Sequence, residues 1–573
     1  MKPWLTVWAP RAQRVEVELV EGGQRLLMQR RTEGTFGLEA ARVTGPYLLR
    51  LDGGNPIPDP RAEDVASVHG PCFLVDHARF RWTDQAHRPA PLEGAVFYEL
   101  HVGTFTAEGT FAAAEQRLPE LKALGVTHLE LMPVATFSGQ RGWGYDGAAL
   151  YAPHRAYGGV EGLKHLVDAA HAQGLSVVLD VVYNHLGPIG NYLGQFGPYF
   201  HPEMLTPWGG AVVNLDGEGS AQVRRFFLDN AFHWLTHYHF DGLRLDAVHA
   251  LVDRSKPHLL AQLSGELAAA GSTALLIAES DLNDPIVVRP RAQGGYGMDA
   301  AWSDDLHHAL HAALTGESYG YYADFQPRPL ALIARALEQG YVYQGQHSGY
   351  RRRPHGQPLG EVPLHRLLGY AQTHDQVGND ALGRRLAHIA GLPRAQAALA
   401  LVMMSPFTPM LFMGEEWGAS APFLFFTDHQ DAAVGRATTE GRRRELAAKG
   451  FAAEQVPDPQ DPATFARSRL DWAERDRPPH AQALQFTRAL IALRRRLPEL
   501  TGGQPGRATV DEQRQTLRYE RGNLIVLVNL GASGPVSVSL PSADRRLLLA
   551  TGASITSSGS VELAEGAVAI LGI

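Results

Sequence analysis

The stretch DGLRLDAVHA, at residues 241–250, places carboxylates on both sides of a short apolar run. Three further stretches also put polar side chains at the end of an apolar, strand-like run: SVVLDVVYNH (176–185), LLIAES (275–280) and QTHDQVGND (372–380). Unpaired charges are costly to bury, so charged groups repeated at strand ends indicate a shared site. A (β/α)8 barrel brings its strand ends to one mouth in this way, and we therefore predict that fold.

The central part of the chain supports the prediction because candidate strands and helices alternate along it. We predict eight strands, at residues 96–105, 126–134, 175–182, 240–248, 274–280, 298–305, 367–375 and 407–418. Runs with apolar residues at helical spacing lie between several of them, and a last helix is predicted at 482–497. Strand–helix alternation implies a parallel sheet, and eight units suggest closure into a barrel of α/β class.

The two ends of the chain differ from the centre. Residues 1–88 contain short alternating runs split by Gly, Pro and charged turns, which predict a small β-sandwich of the carbohydrate-binding kind. Residues 499–573 return to short β-like runs and predict a second antiparallel β-domain. The barrel is therefore expected to occupy residues 89–498.

Composition narrows the class of protein. The chain has 573 residues and a net charge of −8, which argues against a nucleic-acid partner and against attraction to an acidic membrane. We find no uncharged apolar run near the roughly 20 residues that a membrane span needs. The single cysteine, Cys72, excludes an intrachain disulfide and fits a reducing compartment. A cytoplasmic protein is expected.

The four stretches together resemble the signature regions of the α-amylase superfamily of glycoside hydrolases. The resemblance extends from the first to the eighth predicted strand and rests on DVVYNH, GLRLDAVH, an apolar strand ending in Glu, and HDQ, in that order. It implies that Asp246 is the nucleophile, that Glu279 is the general acid and then the base, and that Asp375 holds sugar hydroxyls. The carboxyl groups of Asp246 and Glu279 should then lie about 5–5.5 Å apart, as in retaining enzymes.

The same resemblance implies supporting roles for four other residues. Arg244 lies two residues before Asp246, on the same face of the strand, and would keep that carboxylate ionised. His185 and His374 resemble the histidines that hydrogen-bond the sugar before the scissile bond. Tyr145, in GWGYD, resembles the aromatic platform of that subsite.

Three positions near these residues qualify the resemblance. Asp180 and Asn184 are interpreted as organising the floor of the site and its loop. Asn184 contributes to a calcium site in many members of the superfamily, but we find no acidic calcium loop beside it, so neither a metal nor a cofactor is predicted. Thr373 stands where the superfamily commonly has Asn, which leaves any hydrogen bond made there open.

A longer stretch, LGVTHLELMPVATFSGQRGWGYDGAALYAPHRAYGG at 124–159, resembles one branch of the superfamily. That branch contains glucan-branching enzymes, debranching enzymes and hydrolases of maltooligosyl-trehalose. Branching enzymes usually carry AVAS where this chain has AVHA, so hydrolysis of the α-1,4 bond next to the terminal trehalose unit is expected. Asp281, Trp208 and the segment 416–431 are the candidates for the leaving-group side. The resemblance also implies functional coupling to a maltooligosyltrehalose synthase.

Other interpretations remain open at this stage. A glucan-branching or debranching enzyme of the same superfamily would share the carboxylates, and a non-catalytic glycan-binding scaffold could keep the barrel. The histidines of DLHHALHAAL (305–314) have helical spacing that can bind zinc, but a satisfied or solvated role is favoured. The basic runs YRRRPHG (350–356) and GRRRE (441–445) are interpreted as solvated loop or helix faces.

Overall fold

A computed structural model describes residues 3–206, 210–531, 534–540, 545–557 and 559–572. Its centre is a closed barrel of eight parallel strands, in which neighbours in the chain are neighbours in the barrel and the eighth strand pairs with the first. The predicted (β/α)8 barrel is therefore confirmed. The barrel strands are Phe97–Leu100, His128–Leu131, Ser176–Val181, Gly242–Leu245, Leu275–Ala278, Ala300–Trp302, Leu367–Gly369 and Thr408–Phe412.

Each barrel strand is shorter than its predicted counterpart. The first ends at Leu100, and the apolar residues that follow form the short helix Val102–Phe105, all of which is buried. An apolar run marks burial and does not by itself separate a strand from the buried helix after it, so sequence pattern overestimates strand length in a closely packed barrel.

Helices follow most of the barrel strands, and their amphipathic pattern seals the outer face of the barrel. Between the fifth and sixth strands, the described chain instead has the 3-10 turn Arg291–Gln293. None of the helices within the described ranges combines the length and apolar character of a membrane span. The α-helices between Leu100 and Leu497 are Val102–Phe105, Phe111–Glu115, Leu118–Leu124, Gly159–Ala172, Leu193–Phe196, Ser220–His237, Leu259–Ala269, Asp304–Thr315, Pro329–Gln339, His374–Gly378, Leu386–Ala390, Leu392–Met404, Ala432–Ala447, Pro462–Arg467 and His480–Arg496.

The terminal regions are antiparallel β-structures. Before the barrel, one sheet contains Trp4–Trp8, Gln29–Arg30 and Thr35–Glu39, and a second contains Val15–Leu19, Arg25–Leu27, Tyr47–Leu51, Asp64–Val65 and Cys72–Phe73. After the barrel, a six-stranded sheet contains Arg507–Asp511, Thr516–Arg521, Leu524–Asn529, Val536–Ser539, Arg546–Ile555 and Ser560–Gly572. The C-terminal antiparallel domain was predicted and is confirmed, whereas the boundaries of the three domains stay predictions.

The barrel carries an apolar layer below a charged one. Val178 and Ile277 belong to a fully buried apolar cluster that also contains residues of the first, sixth, seventh and eighth strands. Asp180 lies two residues further along the third strand, and Glu279 directly follows the fifth strand, two residues after Ile277. Residues two apart on a strand share a face. The apolar layer therefore supports, from below, the polar side chains that reach the mouth of the barrel.

Candidate active site

Arg244 lies at the centre of the charged layer, with its side chain only 1% exposed. Its Nη1 is 2.7 Å from Asp180 Oδ2 and 3.0 Å from Asp246 Oδ1, and its Nη2 is 2.8 Å from Glu279 Oε2. The guanidinium therefore joins carboxylates from three consecutive barrel strands. A planar fork of donors suits this geometry better than the single ammonium of a lysine would.

Two of the three carboxyls that contact Arg244, those of Asp246 and Glu279, have opposite pKa shifts. Burial alone would raise the pKa of Asp246, but Arg244, His185 and Asn184 outweigh it and hold that pKa below 3.8. Burial raises the pKa of Glu279 well above 4.5 against the pull of Arg244, and the nearby negative charges of Asp246 and Asp375 add to the rise. One carboxyl is thus prepared as an ionised base or nucleophile and the other as an acid.

Asn184 contacts the predicted nucleophile directly. Its Nδ2 donates to Asp246 Oδ2 at 2.7 Å and to the Asp246 carbonyl oxygen at 2.8 Å. On its other side, Asn184 Oδ1 contacts Nδ1 of His185, whose Nε2 donates to the Tyr145 carbonyl oxygen at 3.0 Å. The amide therefore orients the Asp246 carboxylate, and its oxygen faces the His185 ring.

The residue after Asp246 has an unusual backbone conformation. Ala247 has φ 37° and ψ 53°, in the left-handed region that side chains other than glycine rarely adopt. The bend directs the Ala247 N–H to Glu279 Oε2 at 2.8 Å. Because Oε2 accepts from both Ala247 and Arg244, a proton on Glu279 belongs on the other oxygen, Oε1. Such strain at a turn between two catalytic candidates is typical of functional sites.

His374 is held by a buried network. Glu99 Oε2 accepts from the His374 backbone N–H at 2.9 Å, and Glu99 Oε1 contacts its ring Nδ1. The Tyr145 hydroxyl donates to Asp180 Oδ2 at 2.6 Å and therefore accepts from His374 Nε2 at 2.9 Å. With both ring nitrogens donating, His374 is favoured as an imidazolium. Burial would lower its pKa, but Glu99 outweighs that effect and raises it.

Asp375 lies in the first turn of the short helix His374–Gly378, with its side chain 44% exposed to the cleft. Thr373 begins this helix in a capping box, and its Oγ1 accepts from the Asp375 backbone N–H at 3.2 Å. Thr and Asn are both good N-cap residues. The change from the usual Asn at this position therefore keeps the cap that directs Asp375.

Of the leaving-group candidates, Asp281 faces the cleft and Trp208 lies outside the described residues. Arg351 Nη2 is 3.0 Å from Asp281 Oδ2, and His249 Nδ1 is 3.7 Å from Asp281 Oδ1. Arg351 belongs to the basic run 350–356, so the prediction of a solvated loop is wrong for this residue. Arg351 forms an ion pair with Asp281, which lies two residues after Glu279. Sequence spacing could not reveal this pair.

These side chains surround one cleft of about 610 Å³ at the mouth of the barrel. Phe425 and Phe426, from the predicted segment 416–431, also line it. The cleft brings together seven of the predicted site residues: Tyr145, His185, Asp246, Glu279, Asp281, His374 and Asp375. It is also lined by residues that the sequence prediction missed, among them Trp143, Asp304, Asn379 and Arg442.

Two of the missed residues carried a readable signal. Asp304 follows the sixth barrel strand and accepts from the Tyr370 hydroxyl at 2.5 Å, and burial raises its pKa to about 7. It satisfies the same strand-end rule that identified Asp246. Glu99 is the one charge in the apolar strand Phe97–Leu100, and an isolated buried charge needs a partner. The partner, His374, is 275 residues away and could not be identified from the sequence.

Two groups of side chains in the described ranges could hold a metal ion. One contains Glu63, His77, His233 and His237, and the other contains His87, His171 and Asp241. In the second group, His87 and His171 each lie 3.0 Å from an oxygen of Asp241, which is hydrogen-bond distance. None of these residues lines the catalytic cleft.

Comparison with known proteins agrees with this geometry. Residues 77–194 match the family model of the α-amylase catalytic domain, and residues 502–570 match a domain of unknown function. The malto-oligosyltrehalose trehalohydrolase of Arthrobacter ramosus is 50% identical over 93% of this chain and 93% of its own length. The enzyme of the same name from Mycobacterium tuberculosis is 44% identical over 99% of each chain. A crystal structure titled as a putative α-amylase from Salmonella typhimurium has a TM-score of 0.91 at 39% identity, and covers 100% of this chain and 97% of that one.

The parallel barrel, its paired carboxylates and the matching catalytic domain define a glycoside hydrolase of the α-amylase type. The identities over nearly the whole length narrow the class further. The chain belongs to the malto-oligosyltrehalose trehalohydrolase family.

Proposed function

We propose that this chain hydrolyses the α-1,4-glucosidic bond next to the terminal trehalose unit of a maltooligosyl-trehalose. The products would be trehalose and a maltooligosaccharide shortened by that unit. The names of the relatives support the substrate. One observation supports the chemistry. Asp246 and Glu279 contact the same guanidinium, that of Arg244, yet the pKa of Asp246 is lowered and the pKa of Glu279 is raised.

In the first half of the reaction, a carboxylate oxygen of Asp246 attacks the anomeric carbon of the glucose before the trehalose unit. Glu279 gives its Oε1 proton to the glycosidic oxygen, so trehalose leaves as a neutral alcohol and a glycosyl ester forms on Asp246. Arg244 and Asn184 hold the attacking carboxylate, one on each oxygen.

In the second half, Glu279 acts as a base. It takes a proton from a water molecule, which attacks the same anomeric carbon and releases Asp246. Two displacements at one carbon retain its configuration. Asp375, His374 and His185 line the same cleft and are suited to hold hydroxyls of the ring while it passes through an oxocarbenium-like state.

Specificity for the trehalose end is assigned to the side of the cleft beyond Glu279. There the half-buried carboxylate of Asp281 is fixed by Arg351. Phe425, which lines the same cleft, stays a candidate from the segment 416–431. A fixed polar group discriminates strongly between sugars, since a ligand that leaves it unpaired in a buried site loses binding energy. Trp208 stays a prediction for this side.

The proposal is tested by incubating the protein with maltooligosyl-trehalose and with a plain maltooligosaccharide of equal length. Trehalose as the first product, faster turnover of the capped substrate and an α-anomer as the first-formed sugar end in NMR are expected. Asp246→Asn serves as the inactive control. A branching transferase would instead introduce α-1,6 linkages into amylose, and that result would overturn the assignment.

Two contextual proposals accompany this one. The substrate carries a trehalose-type linkage at its end, so a synthase that rearranges the reducing end of a maltooligosaccharide must act before this enzyme. The single buried cysteine, Cys72, fits a reducing compartment, and we keep the cytoplasm as the proposed location.

A further inference from the structure

The basic run GRRRE (441–445) is predicted to form a solvated face, but its arginines differ in how exposed they are in the structure. It lies on the helix Ala432–Ala447, which follows the eighth barrel strand and which we call the cleft helix. Arg444 is 73% exposed at its side chain, as predicted. Arg442 is only 8% exposed and lines the catalytic cleft, so the prediction is wrong for this residue.

Arg442 holds the end of the helix that carries Asp375. Its Nη2 donates to the Gly378 carbonyl oxygen at 2.6 Å, and its Nη1 donates to Asn379 Oδ1 at 2.9 Å. Gly378 is the last residue of the helix His374–Gly378, where carbonyl oxygens lack partners within the helix. A guanidinium can serve two acceptors at once because its donors are fixed in one plane.

Asn379 continues this contact to the catalytic carboxylate. Because its Oδ1 accepts from Arg442, its Nδ2 faces the other way and donates to Asp375 Oδ1 at 3.1 Å. The ion-pair contact of Asp375 with His374 Nε2 is longer, at 3.9 Å. The Asn379 amide is therefore the short contact that orients the half-exposed Asp375 side chain.

We propose that Arg442 is a positioning residue for the reaction: acting through Asn379, it sets the orientation of Asp375 in the cleft. The inference rests on the proposed role of Asp375 in holding the sugar ring. Arg442 also contacts Glu445 Oε2 at 3.0 Å, which balances its charge. Arg442 therefore acts by orienting Asn379 and not through its net charge. It does so from the cleft helix, which lies outside the eight barrel strands.

The alternative is that Arg442 only fastens the cleft helix to the barrel. The two roles differ in what their loss changes. Loss of a fastening lowers stability and leaves the turnover of the folded protein intact. Loss of positioning lowers kcat, because an interaction made in the transition state is weakened, and leaves KM nearly unchanged.

The experiment is a double-mutant cycle on the full-length protein with R442M and N379A. It uses whichever α-1,4-glucan the wild type hydrolyses, so failure of the trehalose-end assignment does not affect it. Each single variant is expected to lose about tenfold to hundredfold in kcat with little change in KM. The double variant should be no worse than the poorer single variant, because both break the same contact chain.

Matched variants make the outcome decisive. Arg444→Met, in the same run but exposed, should retain wild-type kcat. Arg442→Lys should not restore kcat, since one ammonium cannot reproduce the planar two-acceptor contact. Additive losses in the cycle, or full kcat in a folded R442M protein, would overturn the proposal. If R442M does not fold, a normal kcat for Asn379→Ala would overturn it alone.

Discussion

The barrel strand Gly242–Leu245 has an aspartate at each end, and the two aspartates have different surroundings. Asp246 follows the strand at the mouth of the barrel, and Asp241 precedes it at the base. Asp241 is buried and Asp246 is partly buried, and both contact cationic groups. Comparison of the two ends shows how one fold separates chemistry from stability.

At the base of the barrel, the carboxylates of Asp241 and Asp84 each contact histidine side chains. His171 Nε2 lies 3.0 Å from Asp241 Oδ2, and its Nδ1 lies 2.9 Å from Asp84 Oδ2. His87 contacts the second oxygen of Asp241 at 3.0 Å, and the Val177 N–H donates to Asp241 at 2.8 Å. Burial opposes ionisation, but these contacts prevail and lower the pKa of Asp241 to about 2.

At the mouth, one cation is shared among three carboxyls, and the charges do not balance. Arg244 stabilises Asp246 as an anion and lowers its pKa, while burial and two neighbouring negative charges raise the pKa of Glu279 and so favour its protonated form. A proton held in this way is available for transfer. The contacts at the base favour the ionised form of Asp241 in the folded state, whereas those at the mouth favour a protonated Glu279, as the proposed mechanism requires.

The largest expected effect is the loss of turnover in Asp246→Asn. The amide has nearly the same shape but is too weak a nucleophile to form the glycosyl ester. We expect kcat to fall at least about 10⁴-fold, with the unfolding midpoint close to wild type. Turnover assays and thermal unfolding measured on the same preparation check this. A variant with more than a tenth of wild-type activity would rule out the covalent mechanism.

Asp241→Asn should behave in the opposite way. It leaves His171 and His87 without the carboxylate charge that they contact, and breaking a buried pair typically costs about 3–5 kcal/mol. We expect a much lower unfolding midpoint and a near-normal kcat for the protein that remains folded. Chemical denaturation at 25 °C gives the loss of free energy. A stable variant with reduced kcat would reverse the roles assigned to the two ends of the strand.

A smaller effect is expected for Ala247→Val, because the strained backbone of Ala247 directs its N–H to Glu279. Valine is poorly accommodated at positive φ, and a strained residue of this kind costs about 1–3 kcal/mol. Displacing the N–H removes an influence that lowers the pKa of Glu279, so the alkaline limb of the pH–rate profile should move to higher pH. Ala247→Gly, which fits the same conformation, is the control and should leave the limb in place. Equal shifts in both variants would contradict this explanation.

The sequence indicated which side chains meet at the mouth but not the contacts at the base, and the difference has a physical reason. Asp246, Glu279 and Asp375 follow strands at short range, so the spacing that identifies the barrel also brings them together. Asp241 was present in the first stretch that indicated the fold, but its partners His87 and His171 come from a connecting segment and a helix. Contacts between distant segments depend on packing, which periodicity does not specify.

The same limit explains the errors in the two basic runs. Arg351 and Arg442 were interpreted as solvated because each lies among other arginines. Arg351 instead contacts Asp281, and Arg442 lines the cleft and contacts Asn379. The sequence of a helix indicates which residues share a face, but it does not tell which face of an inserted helix meets the active site.

The smallest expected effect is a change in how stability depends on pH, and it belongs to the base. Burial lowers the pKa of His171, but Asp241 and Asp84 outweigh burial and raise it above 6.5 in the folded protein. A raised pKa means that the folded state binds the proton more tightly. The stability from this group is therefore complete below pH 6.5 and is lost as pH rises through the folded pKa.

Replacement of His171 by glutamine removes this titration and should flatten the fall in unfolding free energy above pH 6.5, by an amount on the order of 1 kcal/mol. His165→Gln, an exposed position on the same helix Gly159–Ala172, should leave the wild-type profile unchanged. Asp241, whose pKa is lowered to about 2, adds stability that is complete above pH 3.8 and is lost only toward pH 2. The base should therefore contribute most to stability between these two limits.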